Sequence, residues 1–421
     1  MLDIKKIVED KQSVYKALLK RMNPEELDLD SIVQLYEDKK ELIQKFEEKR
    51  ANQNSFNDRM SQMEKGSEEF LKLVGELKTL ASEVKELEEE LRDVDSKLRE
   101  KLEVLPNIPD EDVVAGGKEN NTEVRSEGSK PIFDFKIKDH VQLGEDLKLF
   151  DFERATKMSG SNFSLYKGMG ARLEWALINY FVDEHIKDGY EMILPPHIVG
   201  EQSGYTAGQL PKFKEDVYWL EDEEQFLIPT SETVLTNMFR DEILKEEELP
   251  KKYFSYTPCY RKEAGSYRAN ERGLIRVHQF NKVEMYQFTK PENSDKAFEE
   301  LVSKAESLVK GLGLHYRITK LAAGDCSAGA ARTYDIEVWL PAVAQYYEVS
   351  SISNVRDYQS RRGNMRYKTD DGTKFVHTLN ASGLATSRLM VAILETYQQS
   401  DGSIVIPEVL RKYIGVDKIE G

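Results

Sequence analysis

The sequence predicts an α+β fold in two parts: a long antiparallel α-helical coiled-coil hairpin, then a mostly antiparallel sheet with flanking helices. Three observations carry this reading. Apolar residues recur at alternating steps of three and four over two stretches of ~35 residues between 31 and 102, which is a helical seam. A polar segment over 106–130, opened by Pro106 and Pro109, then breaks the texture as a linker does. Beyond it, strand-like runs and amphipathic helices follow one another without the regular recurrence that βαβ units demand.

In chain order, residues 1–27 are a short helical preface with Val8, Val14, Tyr15, Leu18 and Leu19 at helical spacing, stopped by Asn23-Pro24. The first seam holds Ile32, Leu35, Leu42, Phe46, Phe56, Met60 and Met63 and is interrupted by Lys39, Lys49 and Gln53. Lys65-Gly66-Ser67 reads as a reversal. The second seam runs through Phe70, Leu73, Leu77, Leu80, Val84, Leu87, Leu91, Val94 and Leu98 to Leu105, broken by Lys101. At 1.5 Å per residue such a hairpin extends about 50 Å, too long for a core element. Its slight negative charge favours a spacer or oligomerisation role over nucleic-acid binding.

Residues 131–421 form the second domain. Phe133 to Ile137 alternates as a strand, 171–187 is an amphipathic helix closed by Gly189, and 190–194 is a strand ended by Pro195-Pro196. Further strands are expected at 217–220, 226–229, 253–257, 277–288, 316–320, 334–340 and 344–351. Helices are expected at 233–244, 294–312 and 384–398.

A formal net charge of -16 excludes a general attraction for nucleic acid or anionic membrane, so a polyanion must meet a local patch. Cys259 and Cys326 are far apart and lack zinc-site or disulfide spacing, so no zinc is expected and a reducing cytoplasm fits. No run approaches the roughly 20 apolar residues of a membrane span.

The local patch exists. Arg261, Lys262, Arg268, Arg272, Arg276 and Lys282 outnumber Glu263, Glu271 and Glu284 between two strand-like ends, which suits a polyanion site or, equally, a solvated hairpin tip. Arg261 and Glu263 are expected on one strand face, Phe280 and Glu284 on one face of the returning strand. An Arg fork can hold phosphate oxygens and an exposed Phe can stack on a purine; cross-strand salt bridges with Phe280 in the core explain the same residues. Thr230-Ser231-Glu232 sets hydroxyls and a carboxylate before a helix, fit for an ammonium group, although an N-cap accounts for Ser231 as well. In 375–384 a strand is expected to pass through a small-residue turn into the last helix, with Arg388 near its start, where an anion is favoured. Glu337 and Glu348 could offer oxygens to Mg²⁺.

Together these stretches resemble the signatures of class II aminoacyl-tRNA synthetases, and in detail those of the bacterial-type seryl-tRNA synthetase family. The resemblance covers MLDIKKIVED, LPNIPDEDV, LGEDLKLFDFERATKMSGSNF, GQLPKFKEDVYWLED, LIPTSE, YTPCYRKEAG, RGLIRVHQF, RTYDIEVWLPA, HTLNASGLA and YQQSDGSIVIPEVLRKYIG in this order, essentially the whole chain. It implies a class II antiparallel sheet of six or seven strands, a homodimer built partly on 171–196, and an arm that reaches tRNA held by the partner subunit. It implies that serine is activated with ATP to seryl-adenylate and pyrophosphate, then transferred to the 3′ end of serine tRNA, with selenocysteine tRNA left open. By position, ATP would meet Arg261, Glu263, Arg276, Phe280, Glu348, Ser351 and Arg388, the two arginines 261 and 388 being catalytic. Mg²⁺ would lie at Glu348 and Ser351. Serine would meet Thr230, Glu232, Arg261, Glu284, Asn380 and Ser382.

The sequence departs from the family pattern at Ala323, Ser327-Ala328, Ile352, Val355, Ala381 and Thr386-Ser387. None of these removes a carried-over charge, so an active enzyme is expected. The rivals are a paralogue that loads a non-tRNA acceptor such as a carrier protein, and an inactive coiled-coil scaffold.

Overall fold

The computed structural model describes residues 1–221, 224–263 and 272–421. It divides into a helical unit, Leu2–Pro106, and a sheet unit that begins at Asn107.

In the helical unit, α1 (Leu29–Ser61) and α2 (Glu68–Glu103) lie against each other as a hairpin. Gly66, at φ +95°, makes the reversal, and Ser67 caps α2 by accepting from Phe70 N–H. The expected seam is the covered face: Ile32, Leu73, Leu80, Leu98 and Leu105 are buried, and the other seam residues are partly covered. The lysines that break the heptad pattern are satisfied across the hairpin. Lys39 pairs with Asp95, Lys49 with Glu83 at 2.7 Å, and Lys101 with Asp28 at 2.7 Å.

The sheet unit is built on eight strands: β1 (Thr122–Glu127), β2 (Glu191–Met192), β3 (Lys251–Tyr260), β4 (Gln279–Thr289), β5 (Tyr316–Lys320), β6 (Arg332–Leu340), β7 (Gln345–Arg356) and β8 (His377–Ala385). Their spatial order is β1-β5-β6-β7-β8-β4-β3-β2. All pairs are antiparallel except β2 with β3. Period-two alternation gives the sheet an apolar and a polar face. Val283 and Met285 of β4, Ile336 and Val338 of β6, and Leu379 and Ala381 of β8 share a core with the helices Met169–Lys187, Ser294–Gly311 and Thr386–Tyr397. Their polar neighbours are left for the opposite face, where the site lies.

Four expectations are corrected. Residues 133–137 form no strand; Phe133 and Phe135 pack edge-on against each other, ring centres 5.4 Å apart. The edge strand is instead Thr122–Glu127, inside the presumed linker, paired with β5. The helix expected at 233–244 is one turn, Glu232–Leu235, then a 3₁₀ turn and the short strand Ile243–Leu244. Thr236 Oγ1 bonds Glu232 O at 2.7 Å and Asn237 Nδ2 bonds Thr233 O at 2.7 Å, local side-chain bonds that compete with helix continuation. Residues 377–385 are extended as β8, with a register irregularity against β4 between Ser382 and Ala385, and lead into the helix Thr386–Tyr397, which is followed by a further helix, Glu408–Ile414.

Candidate functional site

The polar face of the sheet walls three cavities that share Arg261 and Arg276. One of about 460 Å³ is lined by Thr230, Glu232, Arg261, Arg276 and Gln359 among others. A broader one of about 830 Å³ adds Asp335, Glu348, Ser351, Asn380, Ser382 and Arg388. A slot of about 60 Å³ is lined by Phe280, Arg261 and Arg388 among others. Every expected site residue therefore lines a cavity except Glu284, which is fully buried behind the wall.

Glu284 acts on the cavity through its neighbours. Thr230 Oγ1 bonds its carboxylate at 3.1 Å, Asn380 Nδ2 at 3.4 Å, and Lys282 forms an ion pair with it. Lys282 Nζ also donates to Thr230 Oγ1 at 2.6 Å. A buried ion pair so constructed is weak evidence for stability and strong evidence that removing one partner is costly. Across the cavity, Glu232 accepts from Gln359 Nε2 at 2.7 Å. Burial, and then the negative charge of Glu284, push the Glu232 carboxyl up to about 7. The site thus holds a carboxylate that ionises reluctantly until a cation arrives.

The capping explanation for Ser231 fails, since its Oγ is buried without a partner while Thr230 Oγ1 accepts from Glu232 N–H at 3.2 Å. Arg261 and Glu263 do not share a strand face, because β3 ends at Tyr260 and Glu263 takes φ +51°. Arg261 still extends the ladder by one bond, N–H to His278 O at 2.9 Å, before Lys262 N–H turns to Asp216 O at 2.8 Å. The Arg261 guanidinium lies 5.2 Å from the Phe280 ring centre and donates to Pro229 O at 3.2 Å. Phe280 is half-buried and stacked by a cation, neither a core residue nor a bare platform. Glu263 pairs with Arg276. Residues 264–271, which include Gly265, Arg268 and Glu271 of the basic patch, lie outside the described residues.

Arg388 sits in the first turn of the helix Thr386–Tyr397 and donates to Glu348 O at 2.8 Å and Ile275 O at 3.2 Å. Glu337 Oε2 accepts from both Arg317 Nε at 2.7 Å and Thr319 Oγ1 at 2.8 Å. Asp335 is a further carboxylate of the same strand. It is buried beside Glu348 and bonded to Ser351, its Oδ1 has no partner, and burial followed by the Glu348 charge pushes its carboxyl well above the usual range. An orphan carboxylate oxygen beside Glu348 and Ser351 fits a hard cation with oxygen ligands. No group of three or more metal-ligating side chains occurs among the described residues.

Asp335 and Gln359 carry no mark in the sequence analysis, and Lys282 enters it only as a charge of the basic patch, although its place at period two between Phe280 and Glu284 points to the pairing with Glu284. Asp335 likewise alternates with core Ile336. Gln359 had no local signal, as its bond to Glu232 spans 127 residues.

The family description "Seryl-tRNA synthetase N-terminal domain" matches residues 1–109, and "tRNA synthetase class II core domain (G, H, P, S and T)" matches 218–397. A serine–tRNA ligase 2 of Clostridium acetobutylicum is 55% identical over 100% of both chains. The chain belongs to the seryl-tRNA synthetase family. Among solved structures, the Pyrococcus horikoshii seryl-tRNA synthetase complexed with ATP is similar at TM-score 0.92 and 35% identity, over 100% of this chain and 99% of that one. The Naegleria fowleri cytoplasmic serine–tRNA ligase in complex with AMP is similar at TM-score 0.86 and 26% identity, again over 100% and 99%. This seryl-tRNA synthetase family member therefore carries a class II sheet whose polar face faces the cavities described above.

Proposed function

We propose that these cavities form seryl-adenylate from serine and ATP and then pass serine to the 3′ end of serine tRNA. The chain is an ATP-dependent aminoacyl-tRNA ligase of the serine type. The observation that carries the assignment of chemistry to this cavity is the convergence of two guanidinium groups, Arg261 and Arg388, with Glu232 on its lining, and Glu284 buried behind the wall.

The serine ammonium would lie at Thr230 and Glu232, its carboxylate toward Arg261, and its hydroxyl toward Asn380 and Ser382 in front of Glu284. Phe280 would stack on adenine with Glu263 at its edge, and Arg261, Arg276 and Arg388 would take phosphate oxygens. One carboxylate oxygen of serine attacks the α-phosphorus in line, and the bond to the bridging oxygen breaks to release pyrophosphate. The arginines neutralise charge that grows in the transition state, and holding both reactants removes the entropic cost of their encounter. The residues present fit Mg²⁺ at Glu348 and Ser351 beside Asp335; when bound it would neutralise phosphate charge. In the second step a terminal ribose hydroxyl of tRNA attacks the seryl carbonyl and AMP leaves. Alanine would leave the groups that await the serine hydroxyl, Asn380 and Ser382, without that partner, a loss that can supply about 10⁴-fold discrimination.

The helical arm would read the shape of tRNA held by the partner subunit of a homodimer in the cytoplasm. Among the described residues no helix is long and apolar enough to cross a membrane. Pyrophosphate exchange across amino acids, followed by tRNA acylation, tests the reading. Serine-dependent exchange with serylation is expected; no exchange with serine overturns it, and exchange without acylation turns the assignment to a carrier-type acceptor.

A further inference from the structure

Residues 272–276 lead toward β4, and each meets a partner elsewhere in the sheet unit. Arg272 pairs with Asp139. Gly273 takes φ +67° and passes so close to His140 that a Cβ there would lie 2.3 Å from Nε2. Leu274 N–H donates to His140 Nε2 at 3.2 Å. Ile275 O accepts from Arg388, and Arg276 pairs with Glu263. The first two partners begin the helix His140–Asp146, for which Asp139 is the N-cap.

His140 is itself fixed. It is 2% exposed, and its Nδ1 lies 3.1 Å from Oε1 of Glu395, 1% exposed. Glu395 also accepts from His140 N–H at 3.2 Å and from Ala342 N–H at 3.0 Å, three donors around a buried carboxylate. Because Leu274 N–H donates to Nε2, the ring carries its proton on Nδ1 and gives it to Glu395. Glu395 lies seven residues after Arg388 on the same helix, so one helix registers Leu274 through His140 and Ile275 directly.

The geometry points to His140, backed by Glu395 and Asp139, as a positioning residue for the phosphate-binding arginine Arg276: it locks the register of 272–276 so that this guanidinium faces the cavity. The inference rests on the reading of that cavity as an ATP site. It gives no role to His140 in touching substrate; its effect passes through the Leu274 amide.

The test compares His140→Asn with His140→Gln in the full chain, measuring ATP affinity by titration without serine and the KM for ATP and for serine in pyrophosphate exchange. Asn keeps a donor for Glu395 but cannot reach Leu274, whereas Gln retains an acceptor near the Nε2 position. Displacement of a positioned group by about 1 Å can cost up to 10²-fold. His140→Asn should weaken ATP binding about tenfold with serine KM and Tm little changed, and His140→Gln should recover most of it. Gly273→Ala, which pushes against the same ring, should resemble Asn. Wild-type ATP affinity in His140→Asn overturns the inference, as does an equal rise in both KM values in Asn and Gln alike, which marks a merely structural role. If the wild type binds ATP but gives no serine-dependent exchange, the proposed function fails while the clamp stands on ATP affinity. A wild type that binds no ATP overturns both.

Discussion

Lys49 in the helical arm and Lys282 in the sheet unit each face a glutamate, and the two pairs are built differently. Lys49 and Glu83 are 42% and 43% exposed, so water screens the attraction and little energy rests on it. Lys282 and Glu284 are 6% and 0% exposed, with Thr230 and Asn380 completing the network. In the arm, charge fills gaps in an apolar seam and keeps two helices in register. In the sheet unit, charge is taken out of water at a cost of several kcal/mol per ion, a cost that hydrophobic side chains of similar volume would avoid.

The contrast can be broken, most severely first. Arg261→Ala removes a guanidinium from the reacting end of the cavity and should lower serine-dependent pyrophosphate exchange by about 10³-fold, as loss of a transition-state charge partner does, while circular dichroism and Tm stay near wild type. Near-normal exchange would refute its phosphate role. Glu284→Ala leaves the Lys282 ammonium buried without its carboxylate and should destabilise the fold by about 3–5 kcal/mol in denaturant titration. The same variant should raise the serine KM selectively; an unchanged value would move the serine pocket away from Thr230 and Asn380.

The pH dependence of serine binding is a subtler test. With its carboxyl pushed up to about 7, Glu232 is mostly protonated below that pH and then offers no charge to an ammonium. The serine KM should fall as pH rises toward 7 and level off above it, a slope of up to about tenfold per unit on the acid side. Glu232→Gln should flatten the profile at a high KM, and a flat wild-type profile would remove Glu232 from the ammonium site. At the small end, Lys49→Ala should move Tm by no more than about 2 °C. A larger loss would mean that the arm relies on its ion pairs as the sheet unit does.

What the sequence made legible follows the same division. The arm could be read because heptad spacing is a local code: the seam residues and even its breaks at Lys39, Lys49 and Lys101 reappear as the covered face and its bridging pairs. The long strands of the sheet unit were legible by period-two alternation. Thr122–Glu127 was not, because every residue of this edge strand is exposed and no apolar period marks it. The stretch 233–244 misled because helix-like apolar spacing was outweighed by Thr236 and Asn237, whose side chains bond the backbone locally. At the site, motif residues were found one by one, but not the depth of Glu284, the occupation of Glu337 by Arg317 and Thr319, or the orphan oxygen of Asp335. Those depend on which strands become neighbours.

The central claim, that the sheet unit performs activation while the arm serves tRNA recognition, is tested most directly by measuring exchange and serylation side by side in the full chain and in one lacking residues 31–102. Exchange within about twofold of the full chain, as expected when reactant binding and charge stabilisation reside wholly in the retained cavity, together with loss of tRNA serylation, is the predicted result. Serylation unaffected by the deletion would contradict it.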